Sequence, residues 1–446
     1  VKKKTTRLLL SFICILFAHQ PITAQFVIDG NVQNFNAIQT YSNHELVSAR
    51  NRVNILLNRS LRFGEFVSEF HLYNNYSDSF EFDLLFRELF INIFTTNYDV
   101  KIGLQRLRTG RSNTGFITDI YSGIDFREFL TKEPNEIELG TLAINIRRYF
   151  NQNSIQLIIN PLQNRSRLPE IDSRWFPVQI GGPIALNLIN YDQKRLFSQL
   201  SGALRYSNRS IPELDLDLNV SYWTYPTPSL GFRFKNRTDP QNLELDLFET
   251  YEQSLMLGLS AQYQLSSSWF LTTETLFVKN RLFTFTTVPQ DQLENTLTNP
   301  ELAFQVINQL EDRNDNYLTK KPWVHTMAGL QSEIYGITFS GQLYLEWILN
   351  YDQNLFSQQF FPYATILLSR SLNRERLQLS TLNRYNFAGK DWLFQFQSTY
   401  EISDGFEVSM GINLMNGNDV EPFYGHFSFS QYRNNSFIFS RITYYF

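Results

Sequence analysis

The sequence predicts an all-β chain: a transmembrane antiparallel β-barrel of about 18 strands (16–18), with long outer loops and short periplasmic turns. Three observations carry this. Apolar and polar residues alternate with period two in segment after segment. These segments reach about 9–11 residues or more, enough for a tilted strand to cross a bilayer, whereas soluble sandwiches use about five or six. The 446-residue chain also holds 40 Phe and 23 Tyr, yet past the first residues no apolar run reaches the ~18 residues of a helical span.

In chain order, residues 1–24 read as a secretory signal peptide and 25–446 as the barrel. Lys2, Lys3, Lys4 and Arg7 form a positive start, Leu8 to Ala18 an apolar stretch, and Thr23-Ala24 a small-residue cleavage site. Gln25 would be the first mature residue. Cys14, the only cysteine, lies inside that signal, and Ile13 is too bulky to precede a lipidated cysteine. The mature chain then has no thiol, which removes disulfides, cysteine nucleophiles and thiolate metal sites. No cofactor or metal is expected. The 39 basic residues are outnumbered by 43 acidic ones, and four of the basic ones fall in the signal. That balance argues against a nucleic-acid partner.

The expected strands are 27–40, 48–59, 63–76, 80–95, 98–108, 136–149, 153–162, 194–208, 212–226, 251–266, 268–288, 322–335, 337–351, 358–372, 374–388, 391–402, 405–415 and 435–446. In Leu214 to Tyr222 every even residue is apolar and every odd one polar. Leu343, Leu345 and Trp347 alternate with Gln342, Tyr344 and Glu346, and Val408, Met410 and Ile412 with Glu407, Ser409 and Gly411. Tight connections near 97, 151, 209, 267, 336, 373 and 404 alternate with long ones at 109–135, 163–193, 227–250 and 289–321. Residues 423–432 could be another strand, but an odd count would put the termini on opposite sides, so they are read as outer loop. Tyr222, Trp223, Tyr225, Trp347, Tyr400 and Tyr444 lie near strand ends, where interfacial girdles form.

The last segment runs in alternation to Phe446, with Ile438, Ser440, Ile442 and Tyr444 on its face. A terminal aromatic on such a strand resembles the closing strand of bacterial outer-membrane barrels. There it is the signal to the barrel-assembly machinery, an expected partner through Phe446. The expected location is the outer membrane of a Gram-negative bacterium, with outer-membrane lipid around the wall.

A barrel of this size leaves an aqueous lumen unless loops fill it. Arg147, Arg205, Asp215, Asp217, Gln342, Glu346, Arg376, Arg384, Gln395, Glu401 and Glu407 are expected to face inward. Residues 103–177 carry nine arginines and one lysine, Lys132, against eight carboxylates. Arginine presents a planar fork that grips carboxylates in bidentate fashion. It serves equally to contact a solute or to brace an infolded loop. The candidate lumen or constriction residues are Arg106, Arg108, Arg111, Asp119, Asp125, Arg127, Arg147 and Arg174.

The run Gly103, Leu104, Gln105, Arg106, then Gly110, then Gly115 to Asp119, then Asp125 to Leu130 resembles the bacterial alginate-export-type porin family. Pro161, Leu168-Pro169 and Trp175-Phe176-Pro177 follow in similar order. Gly425, His426, Phe427, Asn435 and Tyr444 to Phe446 are similar to the family's last loop and strand. The likeness covers about a quarter of the chain. It implies an eighteen-stranded channel with an arginine-lined lumen, and places Arg106, Asp119, Asp125 and Arg127 in or beside the constriction. Thr109 stands before Gly110 where the family tends to place Trp, so alginate itself does not follow.

Catalysis has little support. His44, His71, His325 and His426 lie in no Gly-x-Ser-x-Gly or His-Glu-x-x-His setting. His71 shares a strand face with Glu69, and a structural hydrogen bond is expected between them. Asn299-Pro300-Glu301 would open a short loop helix. Asp312, Asn314 and Asn316 lack the glycine and the final glutamate of a calcium loop. The expected function is a porin-like channel for diffusion or export of small polar solutes, including anionic, uronate-like ones or oligosaccharides. The alternative is a non-conducting barrel that binds surface polysaccharide or a protein partner through its outer loops.

Overall fold

A computed structural model describes residues 26–41, 44–76, 81–162, 165–177, 184–189, 200–236, 243–288, 315–418 and 425–446. Among them an 18-stranded antiparallel sheet closes on itself. Its first strands are β1 (Val27–Gln39), β2 (Leu46–Leu61), β3 (Gly64–Asn75), β4 (Glu81–Phe94), β5 (Tyr98–Gln105), β6 (Thr141–Phe150) and β7 (Asn153–Asn160). After β8 (Ile184–Ile189), which stands apart, come β9 (Ser201–Ile211) and β10 (Leu214–Thr224). A pair outside the barrel, β11 (Ser229–Asn236) and β12 (Leu243–Thr250), precedes β13 (Gln253–Gln264), β14 (Trp269–Thr284) and β15 (Leu318–Ile334). The rest are β16 (Ile337–Ile348), β17 (Phe360–Leu372), β18 (Leu377–Asn386), β19 (Asp391–Ser403), β20 (Phe406–Asn416) and β21 (Phe437–Tyr445).

Closure is made by β1 on β21, in register from Asn31↔Tyr445 to Gln39↔Phe437. Phe446 N–H donates to the Gly30 carbonyl at 3.0 Å, and Gly30 N–H to the Phe446 carbonyl at 2.9 Å. A Cβ on Gly30 would lie 2.7 Å from the Phe446 ring, so the glycine admits the terminal aromatic. Closing the sheet removes its free edges, and with them the unpaired backbone groups that hydrocarbon cannot solvate.

Each expected barrel segment holds one observed strand. The alternation is read out as facing: Leu218, Val220 and Tyr222 are exposed outward, while Asp217, Asn219 and Ser221 are buried inward. Short turns lie at the end with the termini and long connections at the other. Several local expectations are corrected. Residues 134–137 form a helical turn, because Pro134 opens it and Glu133 and Glu136 make a capping box, so β6 starts only at Thr141. Trp223 is not an interfacial residue. It is 2% exposed and packs edge-on against Tyr121 inside the barrel, centroids 5.0 Å apart. Tyr225 also turns inward, beneath Arg281.

Stretches 163–193 and 227–250, read as loops, contribute β8, β11 and β12. β11 and β12 pair antiparallel, and β8 joins β12 in parallel. One face of this small sheet buries Phe232, Phe234, Leu245 and Leu247 with Phe176, Val288, Tyr317 and Phe356. Within 423–432, residues 425–429 are irregular and Ser430–Asn435 is a 3-10 turn. The expected signal peptide, the start of the 194–208 segment, the helix at 299–310, and Asp312 and Asn314 lie outside the described residues.

Candidate functional site

The connection from β5 to β6, residues 106–140, lies inside the barrel and is held by inward side chains from both sides of the wall. Its outgoing arm starts at Arg106, which reaches Glu69 Oε2 at 2.7 Å and Glu88 Oε2 at 3.2 Å. Arg111 then meets Asp217 at 2.9 Å and Asp215 at 3.6 Å. The tip has no ladder partner for its amides, and a wall carboxylate supplies one. Glu274 accepts the backbone N–H groups of Arg111 and Ser112, the latter at 2.7 Å. Ser112 and Thr114 hydroxyls lie 2.6 and 2.8 Å from Tyr344 OH, and Thr114 also reaches Thr365 at 2.8 Å. The arm therefore spans from β3 and β4 to β16 and β17.

The returning arm is tied to β2, β4, β20 and β21. Asp119 folds the tip back on itself by accepting the N–H groups of Thr109 and Gly110. Asp125 binds Arg127 at 3.0 Å and Lys132 at 3.2 Å, and Arg127 continues to Asp83 at 3.2 Å. Glu128 pairs with Arg50, Glu136 with Arg52 and Glu133 with Arg441. The Leu130 carbonyl accepts from Asn413 at 3.1 Å. Burial pushes the Asp125 carboxyl up, but Lys132 and Arg127 outweigh it and hold the group well below the usual carboxylate range. Burial also opposes ionisation of Glu136, yet the guanidinium groups of Arg52, Arg50 and Arg441 bring it down to about 2.

Between this strap and the far wall lies a cavity of about 1170 Å³. Five cations line it, Arg108, Lys132, Arg281, Arg384 and Arg441, against three carboxylates, Asp119, Glu133 and Glu346. Glu138 and Asp125, just behind the lining, pair with Arg108 and Lys132, so four of the five cations have a carboxylate partner. Arg281 lies 3.8 Å over the Trp323 ring and 3.7 Å from Glu346. Arg384 lies 4.0 Å over Tyr363 and donates to Asn386 Oδ1 at 3.1 Å. Among the described residues no carboxylate is within ion-pairing distance of Arg384.

The eight candidates divide by position. Arg108 and Asp119 line the cavity. Arg108 pairs with Glu138 at 2.6 Å while its side chain stays 57% exposed. Arg106, Arg111, Asp125 and Arg127 join the loop to the wall or to itself. Arg147 lies on β6, donating to Gln156 at 2.9 Å opposite Asp99 and away from the cavity. Arg174 lies 3.6 Å from Glu45, next to the cavity-lining Trp175. Arg384 was expected to face inward, but Arg281 was not. A bulge between Val278 and Arg281 shifts the β14 register, and simple alternation is lost there. His71 bonds Glu69 at 3.0 Å and Tyr73 at 2.9 Å, closing the network below Arg106.

No protein-family model and no curated protein matches the chain. Solved structures do. Acinetobacter baumannii OccAB1 is similar with a TM-score of 0.52 at 8% identity, over 95% of this chain and 96% of that one. Pseudomonas aeruginosa OccK3 (OpdO) gives 0.52 at 9%, over 95% and 96%. Pseudomonas aeruginosa OccK8 (OprE) gives 0.50 at 8%, over 95% and 98%. The alginate-export-type resemblance rests on its own residues alone. At such identities the likeness is one of fold, and the chain has the closed 18-strand barrel fold of these outer-membrane porin structures.

Proposed function

We propose that this chain is an outer-membrane channel of a Gram-negative bacterium, passing small polar solutes with a preference for anions such as uronates and their short oligomers. The observation that carries the reading is Arg384, which lines the cavity beside the infolded strap free of any carboxylate among the described residues. A hydrated anion entering a channel gives up water contacts, and fixed guanidinium groups replace them. Most of the strap's arginines are occupied by its own ion pairs, but Arg108 lines the cavity with its side chain still exposed beside Glu138, so it and the wall's Arg281 and Arg384 are the groups we assign to solute contact. The porin fold of the similar structures and the girdle aromatics Tyr222 and Tyr444 support the location.

Planar-bilayer conductance of the refolded barrel under a salt gradient tests this. Steady openings with an anion-leaning reversal potential, blocked by added uronate oligomers, are expected. A barrel that stays silent after removal of residues 289–314 would overturn the channel. It would favour binding of surface polysaccharide or a partner, a reading supported by the small sheet whose Phe232 and Leu247 border the cavity.

A further inference from the structure

Arg384 lies on a ring that is itself held in place. The inward positions of β16 and β17 set Tyr344 beside Tyr363 in the register. The two rings stack with centroids 4.4 Å apart and planes tilted by only 7°. β17 runs between β16 and β18. Tyr363 therefore has the Tyr344 ring toward β16 and the Arg384 guanidinium toward β18, with Cζ 4.0 Å from its centroid. Tyr363 is buried, and its hydroxyl lies 3.0 Å from His325 Nε2 on β15. Tyr344 OH donates to Gln342 Oε1 at 2.7 Å and meets the strap's Ser112 and Thr114 hydroxyls. A ring fixed at its face and at its hydroxyl does not tilt to follow a moving guanidinium.

A second constraint stops the guanidinium from turning within its plane. Arg384 Nε–H donates to Asn386 Oδ1 at 3.1 Å, and Asn386 Nδ2 donates to Asp391 Oδ1 at 2.6 Å. Asp391 is buried and also accepts the Phe429 N–H at 2.9 Å. One of the five N–H donors of the guanidinium is thus spent. The others have no hydrogen-bond partner among the described residues, and Arg384 lines the cavity. A guanidinium fixed in plane and in rotation presents parallel N–H groups. That geometry takes both oxygens of a carboxylate and gives a spherical chloride no such advantage. We propose that Tyr363 is the positioning residue of the solute site, holding Arg384 in the plane from which a carboxylate is bound in bidentate fashion. The inference rests on the assignment of Arg384 to solute contact. It adds a preference for carboxylate over halide, set by a buried ring of the wall.

Calorimetric binding of glucuronate to the refolded barrel in detergent tests this without requiring conduction. The wild type should bind in the presence of excess chloride; no binding, or displacement by chloride, would overturn the proposal. Tyr363→Leu should weaken binding roughly 2–30-fold, the range of a lost cation–π contact. Tyr363→Phe, which keeps the ring and loses only the His325 bond, should restore most of it. Added to Arg384→Gln, Tyr363→Leu should cost nothing further, because it acts through the guanidinium alone. Losses that add, or a Tyr363→Leu barrel that binds like the wild type, would overturn the proposal. In the arginine-labelled wild type, the Arg384 Nε–H proton signal, identified by its loss in Arg384→Gln, should be shifted upfield by the ring current. An unshifted signal would overturn the proposal even where Tyr363→Leu fails to refold. A barrel that shows this binding pattern but carries no current would sink the channel and leave the positioning role standing, whereas a conducting barrel with additive losses would do the reverse.

Discussion

Glu274 on β14 accepts the backbone N–H of Ser112 at 2.7 Å, bringing together residues 162 positions apart. The same carboxylate faces the N–H groups of Arg111 and Thr118. Glu274→Gln keeps the shape but turns one acceptor into a donor that faces other donors. Losing a bond to a buried charged acceptor costs roughly 1.5–3 kcal/mol. Amides 109–118 should exchange faster with solvent while the barrel's strands keep their protection, and single-channel current should become larger and noisier. Unchanged exchange at the tip would show that the wall's hydroxyl contacts alone hold it.

The returning arm should be acid-sensitive. Glu136 is held to about 2 against an ordinary value near 4.5, so its charged form is bound more tightly when the arm is docked. A depressed carboxyl contributes stability above its ordinary value and loses it as pH falls through the docked one. Docking should be complete at neutral pH and weaken between about 4.5 and 2. Asp125 acts in the same direction. Amide exchange of residues 125–138, measured with mass spectrometry at pH 7 and pH 3 after correction for intrinsic rates, should reveal the release. A Glu136→Gln variant should lose much of the difference.

Two arginines that look alike in the sequence should respond differently. Arg111 is paired with Asp217, which is almost wholly buried. Arg111→Gln would leave that carboxylate with less compensation, a loss on the order of 3–5 kcal/mol for a fully broken buried pair, softened here by Arg205 and Arg209 on the same group. Arg384 has only ring contacts and Asn386 to lose, roughly 0.5–2 kcal/mol. Arg384→Gln should therefore leave the barrel's denaturation midpoint nearly unchanged yet move the reversal potential toward cations. If Arg111→Gln shifts selectivity more than Arg384→Gln does, the assignment of solute contact to Arg384 fails.

What the sequence conceals follows from how the barrel is built. Strands such as Leu214–Thr224 are legible because lipid on one side and polar lumen on the other impose period two over the full crossing. The eight-residue β11 and β12 also alternate, as in Leu243, Leu245 and Leu247, and so do the eight-residue wall strands β5 and β7, so neither period nor length separates the two sheets. The stretch 227–250 reads as a long outer connection, which gives no hint of a second sheet. The strap was visible as an arginine-rich stretch. Whether each arginine braces or stays free depends on wall partners more than a hundred residues away, as with Arg111 and Asp217, and local spacing carries no trace of that.

Gly110 makes the sharpest test of the strap, because two carboxylates converge on it. An added Cβ would lie 2.5 Å from Asp119 Oδ2 and 3.2 Å from Glu274 Oε1. Asp119 cannot retreat without giving up the N–H groups of Thr109 and Gly110 that it holds. Gly110→Ala should therefore loosen the tip by about 1–3 kcal/mol, the scale of a lost bond to a charged acceptor, and alter conductance. Gly336 supplies the control. It occupies the β15–β16 turn at φ +72° with nothing within 4 Å of its missing Cβ, so Gly336→Ala meets only backbone strain of roughly 1–2 kcal/mol. That change should lower the denaturation midpoint slightly and leave the current as it was. A Gly110→Ala channel with wild-type current and wild-type exchange at 109–118 would mean that Asp119 does not set the tip's path, and that the turn is fixed instead by its anchors on Tyr344 and Thr365.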